Sequence, residues 1–223
     1  MSEPVDRLAQ TRASYISSSF DRPEVSPLDL FRTWYDEAAG QVREPNAMTV
    51  STLDDWGPVA RIVLLKAVDA AGFVFFTDYD SAKGRQLAAD PRIAASFPWQ
   101  DMHRQIRIRG LAEAVAAAES DAYFAVRPRG SQIAANVSKQ SQPVSGREQM
   151  EAEYAAAVTE FEGREVPRPA HWGGFRIRPF EIEFWQGQQN RFHDRWVFRR
   201  ADGSHDPGDL AAADQWELVR LYP

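Results

Sequence analysis

A series of short β-rich segments that begins at Ala47 constrains the fold of this chain more than any other feature of its sequence. The segments MTVSTL, VARIVLLKAV and FVFFT follow one another, with turn residues between them at 54–58 and 69–72. Two further β-rich segments, RIAASFPW and RQIRIRGLAEAV, come after a short helical pattern at 81–89. Because such short turns join antiparallel strands, the sequence predicts an antiparallel meander that forms a barrel or a curved sheet.

Helical patterns and later strands complete the predicted architecture. Ser26 is a suitable N-cap before Pro27, and Leu28, Phe31 and Trp34 follow at helical spacing, so this helix is expected to cover the sheet with its aromatic face. Three more helices are predicted at 116–126, 131–138 and 145–161, and strands at 175–178, 181–185, 191–199 and 216–223.

The sequence contains no internal repeat and no linker-like segment after the first polar residues. We therefore predict a single domain at 26–223. Residues 1–25 are polar and rich in Ser and Pro towards their end, and they are expected to form a partly mobile arm with a short helix at 5–15.

Composition and charge exclude several classes of function. The chain has no Cys, which excludes disulfides, thiolate nucleophiles and Cys metal ligands, and its four His residues lack metal-ligand spacing, so no metal is expected. A net charge of −6 gives no overall attraction to nucleic acid or to an anionic membrane. Any anion site must therefore be a local group of Arg and Lys. No secretory signal or membrane-length apolar run is present, and the cytoplasm is the simplest location.

One such local group lies near the carboxyl terminus. Arg191, His193 and Arg195 occupy alternate positions of the strand predicted at 191–199, so they are expected to share one face. These side chains repel one another. A face of this kind is therefore either exposed to water or occupied by an anion.

Four other groups of residues could contact an anion or a polar ring. In RIVLLK, strict alternation places Arg61 and Lys66 on opposite faces of a strand unless a bulge intervenes. The other three groups lie near predicted helix starts or in Gln-containing segments, and they are Thr77, Ser81 and Lys83; Tyr123, Arg127 and Ser131; and Gln105, Gln140 and Ser141. Helix N-termini and guanidinium groups bind phosphate. Taken singly, each group is also typical of an ordinary helix cap or an exposed pair.

Six segments together resemble the pyridoxine/pyridoxamine 5′-phosphate oxidase family. They are RIVLLK, FFTDYDSAK, RQIRIRG, YFAVRPRGSQIAANVSKQS, WGGFRI and EFWQGQQNRFHDR, they follow the family's order, and the resemblance extends from about Pro27 to Pro223. It implies a mainly β fold with helices (α+β), the antiparallel FMN-binding split β-barrel, which acts as a homodimer. It also implies two FMN sites built across the subunit interface. The two phosphates to be bound, one of FMN and one of the substrate, account for the scattered cations.

The resemblance also implies roles for individual residues. The implied FMN contacts are Arg61, Ile62, Val63, Leu64, Leu65, Lys66, Phe76, Thr77, Ala82, Lys83, Gln105, Gln140, Ser141, Trp185 and Arg195. The implied substrate contacts are Lys66, Tyr123, Arg127 and Ser131 at the phosphate, Arg191 and His193 at the pyridine ring and its reacting substituent, and Arg12 and Tyr15 in the amino-terminal arm. Arg191 and His193 are the implied catalytic residues.

Two positions depart from the family's pattern. Ala82 stands where the family usually has Arg, so one guanidinium expected near the FMN phosphate is absent. Such a loss costs about 1.5–3 kcal/mol of affinity unless Arg85 or another cation replaces it. Phe76 stands where Tyr is often found, but its backbone can still contact the flavin.

The function that the resemblance implies is an FMN-dependent oxidase of vitamin B6 metabolism. It would convert pyridoxamine or pyridoxine 5′-phosphate to pyridoxal 5′-phosphate, with dioxygen as the acceptor and hydrogen peroxide as a product. A split-barrel oxidase of the phenazine-pathway type and a non-catalytic binder of flavin or pyridoxal phosphate are the alternatives. The segment RPRGSQI argues against the first, whereas Ala82 favours the second.

Overall fold

The structure, a computed structural model, describes Tyr15 and residues 19–223. Arg12, most of the predicted arm at 1–25 and most of the helix predicted at 5–15 lie outside the described residues. The fold below is therefore that of the region from residue 19 onwards.

Eight antiparallel strands form one sheet. Their bounds are β1 (Ala47–Asp54), β2 (Gly57–Asp69), β3 (Gly72–Asp78), β4 (Arg92–Trp99), β5 (Arg104–Ala114), β6 (Trp172–Gln186), β7 (Asp194–Arg200) and β8 (Trp216–Arg220). The order across the sheet is β3-β2-β1-β4-β5-β6-β7-β8, and β3 also pairs with β6. Because of this last pairing, β1 to β6 close into a barrel, and β7 and β8 extend the sheet beyond β6. The predicted antiparallel barrel is confirmed.

Within residues 19–223, five α-helices accompany the barrel. They are α1 (Pro27–Ala39), α2 (Ala82–Ala89), α3 (Ala117–Ala125), α4 (Arg129–Val137) and α5 (Arg147–Glu160). The predicted N-cap of α1 is present, since Ser26 Oγ accepts a hydrogen bond from the backbone N–H of Asp29 at 3.2 Å. The α+β prediction is thus confirmed. No helix among the described residues has both the length and the apolar character needed to cross a membrane.

The aromatic face of α1 packs into the main core, as the helical spacing predicts. The Phe31 ring lies 4.9 Å from that of Phe73 and 5.4 Å from that of Phe97, and all three side chains are fully buried. Burying each such side chain stabilises the fold by about 1.5–3 kcal/mol. Helix α1 therefore covers the barrel and joins its strands in one core.

A smaller apolar cluster lies among α3, α4 and α5. It contains Phe124 from α3, Ile133 from α4 and Ala157 from α5, together with Trp172 at the start of β6. The Phe124 and Trp172 rings meet edge to face with centroids 5.2 Å apart. This cluster fixes α3 and α4 against the end of the barrel at which β6 begins.

The strand predicted at 191–199 begins later than expected. Residues Gln189–Arg191 form a 3₁₀ turn in which Asn190 and Arg191 have φ values of 54° and 64°, and β7 begins only at Asp194. The prediction that Arg191, His193 and Arg195 share one strand face is therefore wrong. The physical reason is the left-handed backbone at two non-Gly residues, which turns the chain before the strand starts.

The strands predicted separately at 175–178 and 181–185 are parts of one strand, β6. The register of β6 against β5 shifts where Gly110 lies opposite Pro179. Pro has no N–H to donate, so a local irregularity takes the place of the predicted break.

Alanine substitution at two glycines tests the close contact between β3 and β6 that closes the barrel. Gly72 and Gly57 begin β3 and β2 with φ values of 141° and 127°, so alanine is strained at both positions. A Cβ at Gly72 would lie 2.0 Å from the backbone oxygen of Ile177 in β6, whereas one at Gly57 would meet nothing within 4 Å. We expect Gly72→Ala to lower the free energy of unfolding by about 1–3 kcal/mol more than Gly57→Ala does. Urea unfolding of both variants measures this, and equal losses would contradict the close contact between β3 and β6.

Candidate active site

A cavity of about 630 Å³ lies where β2 and β3 meet α3 and α4. Four basic side chains line it, namely Arg61, Lys66, Lys83 and Arg127, so we call it the cationic cavity. One carboxylate, that of Asp78, also lines it, and this carboxylate lies 3.9 Å from His171 Nε2. Within residues 19–223, none of the four cations forms an ion pair. The cavity therefore carries an excess of positive charge.

A β-bulge in β2 lies at Lys66, which lines the cavity together with Arg61. The register of β2 against β3 shifts between Leu65 and Ala67, so Lys66 is an extra residue in β2. Strict alternation would have placed Arg61 and Lys66 on opposite faces. The bulge that the sequence left open is therefore present, and both cations line the cationic cavity.

Lys83 is a buried cation whose hydrogen-bond partners, among the residues that the structure describes, are all neutral oxygen atoms. Its side chain lies in the first turn of α2 and is 9 % exposed, and its Nζ donates hydrogen bonds to Thr77 Oγ1 at 3.0 Å and to Gln140 Oε1. Burial lowers the pKa of Lys83, the nearby Arg61 lowers it further, and Asp78 opposes the shift. An anion at this point would offset the cost of burying the ammonium group.

Arg61 is held in a similar way. Its Nη1 donates to Thr52 Oγ1 at 2.6 Å and its Nη2 donates to Gln86 Oε1 at 2.9 Å. Both partners are neutral, and burial is the main cause that lowers the pKa of Arg61, although Asp54 opposes it. Hydrogen bonds thus orient the guanidinium, and because these partners are neutral, they do not offset its positive charge.

Arg127 lies on an aromatic wall of the cavity. Its guanidinium carbon is 4.4 Å from the centroid of the Trp172 ring, and the rings of Phe76 and Tyr123 are stacked with centroids 4.1 Å apart. Burial lowers the pKa of Arg127, and in the described part of the chain its buried Nη1 has no hydrogen-bond partner. A buried, unsatisfied guanidinium donor is rare in folded proteins and indicates a site for an acceptor such as phosphate.

Ser131 completes this wall in the first turn of α4. Its backbone N–H donates to the carbonyl oxygen of Pro128 at 2.8 Å, and its side chain lines the cavity. Arg127 lies in the turn between α3 and α4, two residues beyond the end of α3. Tyr123, Arg127 and Ser131 are therefore brought together, as the sequence predicted, although Arg127 is not in the helix.

A second cavity of about 340 Å³ contains the next group of predicted residues. Gln105, Trp185 and Arg195 lie opposite one another across β5, β6 and β7, and all three line this cavity, which we call the Trp185 cavity. Arg107, Glu183 and Pro223 also line it. Three of the predicted cofactor contacts thus form one cross-strand row.

His193 and Tyr15 lie beside this row. The centroid of the His193 ring is 4.6 Å from that of Trp185 and 5.6 Å from that of Tyr15. The Tyr15 ring also contacts the His103 ring, with centroids 4.6 Å apart. The backbone N–H of Gln188 donates to His193 Nδ1 at 3.0 Å, so the neutral ring carries its hydrogen on Nε2. Burial lowers the pKa of His193, Arg191 adds to this, and Asp194 opposes it. The exposed Arg191 lies on the preceding 3₁₀ turn.

The two cavities are lined largely by different strands, although β6 contributes Trp172 to one and Trp185 to the other. β2, which carries Arg61 and Lys66, is separated from β5, which carries Gln105, by β1 and β4 in one direction and by β3 and β6 in the other. The two sets of lining residues have no member in common. Within one chain, the predicted site residues therefore form two separate groups.

Several predicted residues lie outside both cavities. Leu65 is buried in the main core, Ala82 is the first residue of α2, and Ser141 is exposed with φ of 70°. Arg85, which could have replaced the missing guanidinium at position 82, is instead exposed and donates to the carbonyl oxygen of Asp80. It does not line the cationic cavity.

Sequence reasoning missed three polar or aromatic residues of the cationic cavity, Asp78, Ser138 and Trp172. Ser138 follows the end of α4, whereas Asp78 ends β3 directly opposite Trp172, which begins β6. The nearest predicted strand began at 175, after HWGG, and Trp172 is far from the other site residues along the chain, so its place in the site was not predicted.

Comparisons with known proteins place the chain in a family. A family model described as pyridoxamine 5′-phosphate oxidase matches residues 35–161, and one described as the C-terminal dimerisation region of pyridoxine 5′-phosphate oxidase matches residues 172–223. Pyridoxine/pyridoxamine 5′-phosphate oxidases of a Cyanothece strain and of Cupriavidus necator are each 47% identical to this chain. The matches cover 97% of this chain in both cases and 98% and 99% of those proteins, respectively.

Solved structures agree with this assignment. PhzG from Burkholderia lata, solved with tetrahydrophenazine-1-carboxylic acid, is 28% identical, with a TM-score of 0.80 over 90% of this chain and 94% of that one. A pyridoxamine 5′-phosphate oxidase-related, FMN-binding protein from Nostoc punctiforme shares the fold with a TM-score of 0.69 at 12% identity, over 90% of this chain and 100% of that one. On the sequence matches and the shared fold, the chain belongs to the pyridoxine/pyridoxamine 5′-phosphate oxidase family.

Proposed function

We propose that this protein is an FMN-dependent oxidase that converts pyridoxamine 5′-phosphate or pyridoxine 5′-phosphate to pyridoxal 5′-phosphate. Dioxygen is the acceptor and hydrogen peroxide is released, and the amine substrate also consumes water and releases ammonia. The observation that carries the proposal is the cationic cavity, in which Arg61, Lys83 and Arg127 are partly or fully buried and lack an anionic partner in the described part of the chain. Relatives named for this activity match nearly the whole chain.

The donor set of the cationic cavity fits two phosphate groups. Arg61 and Lys83, with Thr77 and Gln140, form one cluster of donors at the start of α2 and would hold the FMN phosphate. Arg127 with its free Nη1, together with Tyr123, Ser131 and Lys66, forms the second cluster and would hold the phosphate of the substrate. Bound FMN would supply the redox chemistry by taking a hydride from the exocyclic carbon of the substrate and passing electrons to dioxygen.

The second group of residues would complete each site from another copy of the chain. Arg195 and Lys83 line different cavities that share no lining residue, so one chain does not bring them together in one cavity. A homodimer solves this problem if the Trp185 cavity of one subunit covers the cationic cavity of the other. Two equivalent sites then result from one two-fold axis.

His193 and Arg191 would act on the ring end of the substrate. With Nδ1 occupied by the Gln188 N–H, His193 offers Nε2–H as a hydrogen-bond donor. Its lowered pKa keeps the ring neutral at pH 7, which suits a donor that orients a polar substituent rather than a fixed positive charge. Arg191 adds a permanent positive charge beside it.

A direct test is the oxidation of both vitamers by the purified protein. We expect a yellow protein with an FMN absorption spectrum, and release of one hydrogen peroxide for each pyridoxal phosphate formed. Bound flavin without turnover would instead support the non-catalytic binder.

The likeness to PhzG supports one alternative substrate class, reduced phenazine carboxylic acids. The two functions differ in the ligand group that would bind to the cluster of Arg127, Tyr123, Ser131 and Lys66: a phosphate in the first and a phosphate-free acid in the second. Competition by inorganic phosphate and failure of a phosphate-free amine to react would favour the vitamin phosphate, whereas efficient oxidation of a reduced phenazine acid in place of pyridoxamine phosphate would favour the alternative.

Removal of Arg127 tests the substrate phosphate cluster. Arg127→Ala should raise KM for pyridoxamine phosphate about 10- to 100-fold, because a charge-assisted hydrogen bond contributes about 1.5–3 kcal/mol, while FMN affinity should change little. Arg129→Ala is the matched control, since Arg129 is exposed, donates to the Phe161 carbonyl oxygen and does not line the cavity. An unchanged KM for Arg127→Ala, or equal effects of both variants, would remove Arg127 from the site.

Mixed dimers test whether two subunits share each site. Lys83→Met damages the cationic cavity and Arg195→Ala damages the Trp185 cavity, so each homodimer has two impaired sites. A heterodimer of these two variants, purified through two different tags, has one intact site and should recover about half of the wild-type activity. The control heterodimer combines Lys83→Met with Arg61→Ala, which both damage the cationic cavity, and should recover none. Equal activity of the two heterodimers would contradict the shared site.

A further inference from the structure

A buried carboxylate connects two arginines across three strands beside the Trp185 cavity. Glu183 lies on β6, and its side chain is 9% exposed. Its Oε1 accepts a hydrogen bond from Arg195 Nε at 2.6 Å, and its Oε2 accepts one from Arg107 Nη1 at 2.9 Å. Each oxygen of one carboxylate thus holds a different guanidinium.

These contacts fix the orientation of Arg195. Glu183 holds its Nε, and the backbone oxygen of Tyr222 accepts from its Nη1 at 3.0 Å. Two anchors on a planar group set both its position and its plane, and Nη2 has no hydrogen bond within the described part of the chain. Glu183 also raises the pKa of Arg195, mainly through this hydrogen bond, so the charge is permanent.

A second row of two arginines and one glutamate crosses the same three strands, two residues away along β6. The carboxylate of Glu181 accepts from Arg109 Nη1 at 3.2 Å and from Arg199 Nε at 3.2 Å. These contacts are longer than those of Glu183, and the Glu181 side chain is 23% exposed. None of these three residues lines the Trp185 cavity. The chain therefore contains two Arg–Glu–Arg rows, of which only one includes a predicted cofactor contact.

We propose that Glu183 is a positioning residue that holds the guanidinium of Arg195 ready for FMN. The proposal rests on the proposed function. A free Arg side chain loses rotamer freedom when it binds a ligand, and a side chain that is already held loses less, so the preset orientation raises cofactor affinity. Glu183 also lines the Trp185 cavity, but each of its oxygens already accepts a hydrogen bond from a guanidinium, so the role proposed for it is to hold Arg195.

Replacement of each carboxylate by its amide isolates this role. Glu183→Gln keeps the size of the side chain, but its NH₂ group would face one of the two guanidinium groups and release it. We expect the dissociation constant of FMN, measured by flavin fluorescence with the full-length protein, to rise about tenfold for Glu183→Gln. For Glu181→Gln it should rise less than about twofold, because Arg109 and Arg199 do not line the Trp185 cavity. Equal effects of the two variants would overturn the proposal.

A double-mutant cycle shows whether Glu183 acts through Arg195. In an Arg195→Ala background, Glu183→Gln should change FMN affinity by less than about twofold, since the group that it positions is absent. A full tenfold loss in that background would mean that Glu183 serves the fold and not Arg195, and it would overturn the proposal. If Glu183→Gln does not fold, Glu183→Asp keeps the buried charge but withdraws it from Arg195 by one methylene, and the same cycle applies.

Failure of the inference and failure of the proposed function give different results. A wild-type protein that binds no FMN contradicts the proposed function and the inference together. A wild-type protein that binds FMN and loses affinity on Arg195→Ala, but not on Glu183→Gln, contradicts the inference alone.

Discussion

The pairing of β3 with β6 is the interaction on which the remainder of the structure depends. It extends over six residue pairs, from Phe73 opposite Ile177 to Asp78 opposite Trp172. Because it closes the barrel, it encloses the aromatic core that α1 covers, and at its far end it brings Trp172 beside the residues that end β3. The same closure places β2 and β5 on opposite walls. This separation of Arg61 and Lys66 from Gln105 supports the proposal that two subunits contribute to each site.

The two halves of the proposed site differ in their electrostatics. In the cationic cavity, Lys83 and Arg61 are held by neutral oxygens, so their charges remain to be neutralised. Burying such cations costs free energy, which a bound phosphate would offset, and ligand binding should then also stabilise the fold. In the Trp185 cavity, the Glu183 carboxylate forms ion pairs with both Arg195 and Arg107, so it offsets part of their charge. The first half thus suits the charged end of a ligand, and the second suits a ring that needs oriented hydrogen-bond donors.

Local patterns predicted much of the fold and much of the cationic cavity. Alternation predicted β1 to β5, and Ser26 with Pro27 predicted the start of α1, because these features depend on short-range geometry. The grouping of Tyr123, Arg127 and Ser131 was also predictable, since a helix and the turn that follows it fix their spacing. The resemblance to a family contributed the Gln105, Trp185 and Arg195 row, which strand pairing brings together although Gln105 is remote along the chain.

The features that the sequence did not predict depend on backbone conformation and on strand pairing, which side-chain patterns do not reveal. The left-handed backbone of Asn190 and Arg191 leaves no signal in the alternation of side chains, so the strand was predicted to begin three residues too early. Trp172 joined the site only through the β3–β6 pairing, which no local pattern specifies. The sequence allowed for a bulge between Arg61 and Lys66 but did not predict one, because a bulge depends on how the partner strand fits.

The substitution at Ala82 is best understood through the helix that it begins. Arg85 does not compensate, since its guanidinium turns to the Asp80 carbonyl oxygen. One turn after Ala82, however, Gln86 accepts a hydrogen bond from Arg61 and thereby ties the guanidinium on β2 to α2. Lys83 lies on the same helix. Helix α2 therefore contributes one cation directly and positions a second through Gln86, so two positive charges line the proposed site of the FMN phosphate without an Arg at position 82.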